Sequence, residues 1–476
     1  MHLAESKTLP PATLIEPCAA NEPGRPAGGR HSSGHRRREG LINNAAINKL
    51  RDRRVTVMGL GRHGGGVAAA RFLVQQGARV TISDMASRTE LADSLSQLDD
   101  LELAAVHLDG HRDEDFAHAD VVVVNPAVRA GHHLVQLARQ TGASVTSELE
   151  LFLARCQGQV VGVTGTNGKS TTAAMLAEIL QAAGRDTYLG GNIGRSLLGE
   201  LPRIHTETWC VLEVSSFQLA WLSEAAPRPA WAAITNLAPN HLDWHEALSD
   251  YREAKRKIFG PATRRFDPTG ALGEPTHDLA TEMRRLPPLP VTGEHNRKNA
   301  ALAATIAREI GCANEAVSRG LREFRGLPHR LEPIGAWEGR TFINDSQATT
   351  PESTIAAIEA YGPNCWLLAG GKDKGADLSD LATAIARSTR GAAFFGQLGP
   401  QLHDLTRSLA TEDCHNCFAG LREAVAWCVA QSSPGDAILL SPGCASLDQY
   451  RDYADRAADF RAVFEALCRR DRHVAS

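Results

Sequence analysis

The chain has 476 residues, 43% hydrophobic and 22% charged, with a formal net charge of −4. That is the balance of a globular protein too long for one core, so about three domains of roughly 150 residues are expected. The absence of a basic excess excludes a dedicated nucleic-acid binder, and no run of about 18 apolar residues is present to span a membrane.

Within residues 1–48, the stretch "NEPGRPAGGRHSSGHRRREG" is rich in Gly, Pro, Arg, His and Ser with almost nothing apolar, which predicts a disordered extension. The ten cysteines are scattered and no signal-peptide pattern precedes them, so reduced thiols and a cytoplasmic location are expected. Cys414 and Cys417 form a C-x-x-C without the second ligand pair a zinc site needs, and read as incidental.

The first folded segment, 49–150, opens with a strand over Val55–Met58. A helix from Gly65 to about Gln76 follows, then a second strand reaching Asp84. Gly59, Gly61 and Gly64 satisfy G-x-G-x-x-G, and Asp84 lies 20 residues beyond Gly64. In strand–turn–helix context this is a dinucleotide-binding fingerprint, and alone it suggests an NAD-dependent dehydrogenase. The strand "DVVVVNPAV" (120–128) ends in a loop at the carboxyl edge, where open α/β sheets bind ligands.

The second segment, 151–325, begins with "VVGVTGTNGKSTTAAML" (160–176). Position 163, where the usual phosphate-loop pattern has its first glycine, is Val; the early glycines are Gly162 and Gly165. The context still decides for a triphosphate site. A strand delivers Gly165, Thr166, Asn167 and Gly168 to a helix N-terminus, whose free N–H groups favour an anion. Lys169 supplies a cation for the β- and γ-phosphates, and the hydroxyl of Ser170 or Thr171 suits Mg²⁺. Further strands read over 209–216 and 231–238. The Pro- and Gly-spaced stretch 260–290 reads as a connector to an Ala-rich helix.

The third segment, 326–476, alternates strand-like runs at 340–345, 365–371, 392–399 and 436–443 with helix-like stretches, predicting a parallel sheet covered on both faces. Only eight lysines occur against a large excess of Arg. Lys169, Lys255, Lys257, Lys298, Lys372 and Lys374 all fall in motif-like contexts, as expected where a compact or titratable cation is needed.

Several stretches together resemble the ATP-dependent Mur ligases, in the order that family has them. They are "GVTGTNGKSTT", "GGNIG" (190–194), "LEVSSFQL" (212–219), "NHLD" (240–243), "YREAKRKIF" (251–259), "GEHNRKNAALAA" (293–304), "GLPHRLE" (326–332), "INDSQATTPEST" (343–354), "LLAGGKDKGAD" (367–377) and "LSPGCASLDQY" (440–450). The resemblance covers about 52–470, and "VSSFQL" and "SPGCASLDQY" look like the glutamate-adding branch. It implies three α/β domains: Rossmann-like, P-loop ATPase-like and Rossmann-like again.

The implied reaction uses ATP to phosphorylate the carboxylate of UDP-N-acetylmuramoyl-L-alanine; the amine of glutamate then attacks the acyl phosphate. D-glutamate is the expected amino acid, with an L-glutamate-adding variant as the alternative. The resemblance implies Mg²⁺, two ions being expected, and a monomer acting on small molecules. Lys169, Glu213, His241 and Lys255 are the implied catalytic set. Ser170, Glu213, His241 and a carbamylated Lys255 are the implied metal ligands. Lys255 could capture CO₂ if neutral, and Arg256 and Lys257 beside it would depress its pKa by repulsion.

Asn296, Asn299, Arg330 and Asp345 match positions around ATP. Leu60, Gly61, Arg62, Asp84, Asn125 and Asn192 match contacts to the UDP substrate, so the first domain would take a uridine diphosphate rather than NAD. Lys374, Ser446 and Tyr453 match the glutamate site. Three departures stand out. The region between Lys255 and Asn296 is shorter than usual and lacks the outer-strand pattern, Gln347 stands where Lys is common, and Asn240 stands where an acid is common. The intact phosphate and metal motifs predict an active enzyme rather than a nucleotide-binding regulator.

Overall fold

The computed structural model describes residues 49–474 except His63, Lys374 and 411–413; the extension predicted over 1–48 lies outside them. Three sheets follow one another along the chain. The first contains β1 (Arg54–Met58), β2 (Arg79–Ser83), β3 (Ala105–His107), β4 (Val121–Val124) and β5 (Ser144–Thr146), in the order β3-β2-β1-β4-β5 with every pair parallel. The four valines of β4 are all buried, as in a strand with helices on each face. The order reverses between β1 and β4, so the loops leaving Gly59 and Asn125 flank a crevice. Asn125 Nδ2 ties them by donating to the Gly59 carbonyl at 3.2 Å.

The second sheet contains β6 (Gln159–Thr164), β7 (Thr187–Gly191), β8 (Trp209–Glu213), β9 (Trp231–Ile234) and β10 (Arg264–Phe266), ordered β10-β9-β6-β8-β7 and again all parallel. β6 is central and feeds the helix Lys169–Ala182. The expected strand over 209–216 stops at Glu213, because Ser215 and Gln218 form a capping box that starts the helix Ser216–Ala220.

The connector expected over 260–290 is corrected: it holds β10 and the helix Leu279–Arg285. No hydrophobic alternation announces β10, since Phe266 is its one buried apolar residue. A polar device secures it instead. The fully buried Asp267 carboxylate accepts N–H bonds from Ala271 and Leu272, both at 2.9 Å, and pairs with Arg265 at 2.6 Å. The short central region therefore keeps an outer strand.

The third sheet contains β11 (Glu332–Trp337), β12 (Arg340–Asn344), β13 (Cys365–Gly370), β14 (Gly391–Phe395), β15 (His415–Cys417) and β16 (Ala437–Gly443), ordered β11-β12-β16-β13-β14-β15. The expectation of a parallel sheet holds for five strands, but β11 forms an antiparallel hairpin with β12. β11 escaped detection because it contains Pro333 and Gly335 and is only half buried. Cys414, just before β15, and Cys417, its last residue, are free thiols, and no group of three or more His, Cys, Asp or Glu is placed to hold a metal among the described residues.

The first two sheets share an apolar seam, in which Phe72 and Leu73 of the helix Gly65–Gln75 join one buried cluster with Leu212, Ala232 and Ile258. Among the described residues no helix is long and apolar enough to cross a membrane.

Candidate active site

The loop after β6 is pinned from several sides. Thr166 Oγ1 lies 3.0 Å from the Tyr251 hydroxyl and accepts the Ala238 N–H at 3.0 Å. Asn167 N–H donates to Asn236 Oδ1 at 3.0 Å, and Asn236 Nδ2 returns a bond to the Asn167 carbonyl at 3.0 Å. Gly165 has φ 145° and Gly168 has φ 80°. A methyl group at either would also collide, with the Thr235 hydroxyl or the Asn299 amide oxygen respectively. The displaced glycine is thus demanded by the backbone at Gly165 itself. Asn299 packs beneath the loop, and Asn296 Nδ2 donates to Thr292 O at 2.6 Å one turn earlier.

Two amines converge on this loop. Lys169 Nζ donates to the Thr166 carbonyl at 2.8 Å and Lys255 Nζ to the Gly165 carbonyl at 2.7 Å. Burial depresses the pKa of Lys169, with Arg330 adding to the depression and Glu213 opposing it. Lys255 is 1% exposed, with its ammonium position 4.5 Å from the Tyr251 ring centroid. Burial first, then Lys169, holds its pKa well below the ordinary lysine value, against Glu213.

A depressed Lys255 pKa is therefore supported, but the cause expected from its neighbours is corrected. Lys257 reaches away to the Ala220 carbonyl at 2.7 Å and Arg256 pairs with Glu253 at the surface. Lys298 likewise forms an exposed pair with Glu294 on its own helix, so motif-like context overestimates the role of those two lysines.

Glu213 ends β8 almost fully buried and receives Asn192 Nδ2 at 3.0 Å on Oε1. Asn192, expected beside the substrate phosphates, is thus the residue that orients this carboxylate. His241 takes φ 56° and packs edge-on against Phe217, centroids 4.8 Å apart. Ser170 and Thr171 are buried in the first turn of the helix Lys169–Ala182.

From the third domain, Arg330 stands near enough to Lys169 to depress its pKa, and its Nε is buried with no hydrogen-bond partner. Asp345 is buried, with Oδ1 accepting the Leu331 N–H at 3.0 Å and Oδ2 the Ser441 hydroxyl at 2.7 Å. Its carboxylate therefore shapes the turn that carries Arg330. The ring of Tyr453 lies 6.1 Å from that of His329, while Ser446 is buried in the loop after β16. Lys374 lies outside the described residues.

In the first domain the Asp84 carboxylate accepts N–H bonds from Gly61 at 3.0 Å and Ala86 at 2.8 Å. The Leu60 side chain is in the core, so only its backbone faces the crevice. Arg62 pairs with Glu90 at 2.9 Å on the surface.

Three family descriptions match consecutive parts of the chain: "Mur ligase MurD-like, N-terminal domain" at 53–147, "Mur ligase middle domain" at 163–265 and "Mur ligase, glutamate ligase domain" at 329–444. A UDP-N-acetylmuramoylalanine--D-glutamate ligase of Roseiflexus sp. is 35% identical over 465 residues, spanning 88% of this chain and 100% of that protein. The chain belongs to the Mur ligase family.

The equivalent-named protein of Symbiobacterium thermophilum is 33% identical over 88% of this chain and 99% of its own. Among solved structures, the Thermotoga maritima UDP-N-acetylmuramate-alanine ligase shares the fold with TM-score 0.57 at 19% identity, covering 87% of this chain and 99% of that one. The match of residues 53–147 sets aside the dehydrogenase suggested by the glycine pattern.

For this Mur ligase, the residues missed in the sequence are Thr235, Asn236 and Tyr251, which hold the loop, and Arg456. Arg456 is fully buried and donates to the Ser346 carbonyl at 2.8 Å and the Cys444 carbonyl at 3.2 Å, joining the loops after β12 and β16. Only the quoted motifs containing Tyr251 offered a signal. The donor set suits Mg²⁺, a hard ion that takes few protein oxygens and keeps waters and phosphate oxygens. Glu213 is a buried, pre-oriented carboxylate beside the loop, which fits that demand.

Burial raises the Asp345 pKa from 3.8 to about 7. A carboxyl raised on folding contributes stability below its unfolded pKa and loses it as pH rises through the folded value. Asp345→Asn does not titrate, so its thermal stability relative to wild type should improve between pH 4 and pH 7 and then level off. Melting curves across that range check this, and a pH-independent difference would refute it.

Proposed function

We propose that this Mur ligase joins D-glutamate to UDP-N-acetylmuramoyl-L-alanine, converting ATP to ADP and phosphate through an acyl phosphate. The observation that carries the reading is the convergence of Lys169, Lys255, Glu213 and Arg330 on one phosphate loop. The curated relatives named for this reaction, which this chain matches over nearly their whole length, support the acceptor and the amino acid.

A carboxylate is a poor acyl donor because oxide is a poor leaving group; phosphorylation corrects that. The substrate carboxylate attacks the γ-phosphorus and ADP departs. The glutamate amine then adds to the acyl carbon, loses a proton, and the tetrahedral intermediate expels phosphate. Lys169 and Arg330 offset the charge gathered when carboxylate and triphosphate meet. Glu213, Ser170 and His241 are the residues that would hold Mg²⁺, which would supply further neutralisation. Lys255 as a carbamate would add an anion to that set.

Asn296 and Asn299 line the nucleotide side of the loop, and Asp345 acts there through Arg330. Leu60 and Gly61 by their backbone, with Arg62, Asp84 and Asn125, take the uridine diphosphate in the first crevice. Ser446, Tyr453 and Lys374 take glutamate, Lys374 on sequence grounds alone. The domains divide near residues 150 and 325, and the enzyme works as a cytoplasmic monomer.

Phosphate release measured with ATP, Mg²⁺, the UDP substrate and either D- or L-glutamate tests the reading. Release that needs both the UDP substrate and D-glutamate is expected; equal release with L-glutamate, or release without an acceptor, contradicts it.

A further inference from the structure

The loop Asn125–Val128 belongs to the first domain, yet its last two carbonyls are held from the second. Trp244 Nε1 donates to Ala127 O and Trp221 Nε1 to Val128 O, both at 3.0 Å. The two indoles sit differently. Trp221 is buried within the first domain's own cluster, alongside Met58, Val122 and Leu134. It is an anchor.

Trp244 is half-buried, and its ring leads toward the phosphate loop by two routes. It lies T-shaped on Phe217 at 5.1 Å, and Phe217 contacts His241 at 4.8 Å. It also contacts His245 at 4.5 Å, which lies 5.2 Å from Tyr251. The Tyr251 hydroxyl bonds Thr166 within the phosphate loop. One side chain therefore touches a backbone carbonyl at the nucleotide-sugar crevice and the aromatic group packed against His241 and Thr166.

We propose that Trp221 and Trp244 are positioning residues for the nucleotide-sugar substrate. Together they clasp the Asn125–Val128 loop in its binding conformation, and Trp244 sets that loop in register with the phosphate site. The proposal rests on the reading that this loop faces the UDP moiety. An indole suits the task because it combines a flat apolar body with one N–H donor. Phe keeps an aromatic ring and removes the donor together with part of the indole's volume, so KM for each substrate read beside the melting temperature separates the clasp from the packing.

The test is steady-state kinetics of Trp244→Phe and Trp221→Phe, varying each of the three substrates in turn, with melting curves alongside. Loss of one interdomain hydrogen bond should raise KM for UDP-N-acetylmuramoyl-L-alanine roughly 3- to 10-fold in each variant, and further in the double variant. KM for ATP and for glutamate should stay within about twofold.

An unchanged KM for the UDP substrate, or a rise shared by all three substrates with a falling melting temperature, would overturn the clasp. Should Trp221→Phe fold poorly, Trp244→Phe, whose ring is less enclosed, decides alone. Wild-type turnover with an unmoved KM in the variants overturns the clasp only. Absence of wild-type turnover overturns the assigned substrate and the clasp with it.

Discussion

Lys169→Ala should lower turnover by about 10³-fold or more while leaving the fold intact, because it removes a cation preorganised on the phosphate loop. Lys169 Nζ donates to the Thr166 carbonyl three residues earlier, so its loss removes a bond within the loop's own turn and none between distant strands. The loss should fall on kcat, since the charge it offsets grows as the carboxylate closes on the γ-phosphorus. Stopped phosphate-release assays and a melting curve check both halves. Turnover within tenfold of wild type would remove Lys169 from the phosphate assignment.

Lys255→Met should also cost about 10²-fold or more in turnover, without lowering stability. Burial depresses the lysine pKa on folding, so the folded state holds its proton less tightly than the unfolded one. The wild type therefore loses stability as pH falls below the unfolded lysine value of about 10.4. Met has similar length and no charge to desolvate. Its melting temperature at neutral pH should match or exceed that of wild type, although the Gly165 carbonyl loses a donor. Lys255→Arg, permanently charged, should be inactive and less stable. In the wild type a ¹³C-bicarbonate NMR experiment should show a carbamate signal that both variants lack. Active Lys255→Met would show that the amine merely fills space.

The two predictions differ in how far the sequence reached. Lys169 was legible because its chemistry is local: strand, glycines, lysine and helix start are contiguous, so spacing alone implies the geometry. Lys255 was located by its motif, but the reason for its shifted pKa was not. Arg256 and Lys257 are neighbours in the chain yet point elsewhere on the helix, while Lys169 is distant in sequence and near in space. Sequence proximity on a helix is a poor guide to electrostatic proximity.

The same distinction runs through the fold. Strands such as β4 and β13, buried on both faces, declare themselves as apolar runs. β10 and β11 do not, since one depends on the buried carboxylate of Asp267 and the other on a hairpin partner. Asp345 and Asn192 were singled out, but their partners are protein groups that no linear reading supplies. Thr235, Asn236 and Arg456 act through backbone carbonyls and amides, contacts that any sequence could make.

The central claim is that the phosphate held at Lys169 passes to the substrate carboxylate before the amide forms. The most direct test is to label that carboxylate of UDP-N-acetylmuramoyl-L-alanine with ¹⁸O, run one turnover with ATP, Mg²⁺ and D-glutamate, and weigh the phosphate by mass spectrometry. Transfer of one ¹⁸O atom from the carboxylate to each phosphate released is the predicted result. Phosphate carrying no label, with glutamyl product formed, would contradict it.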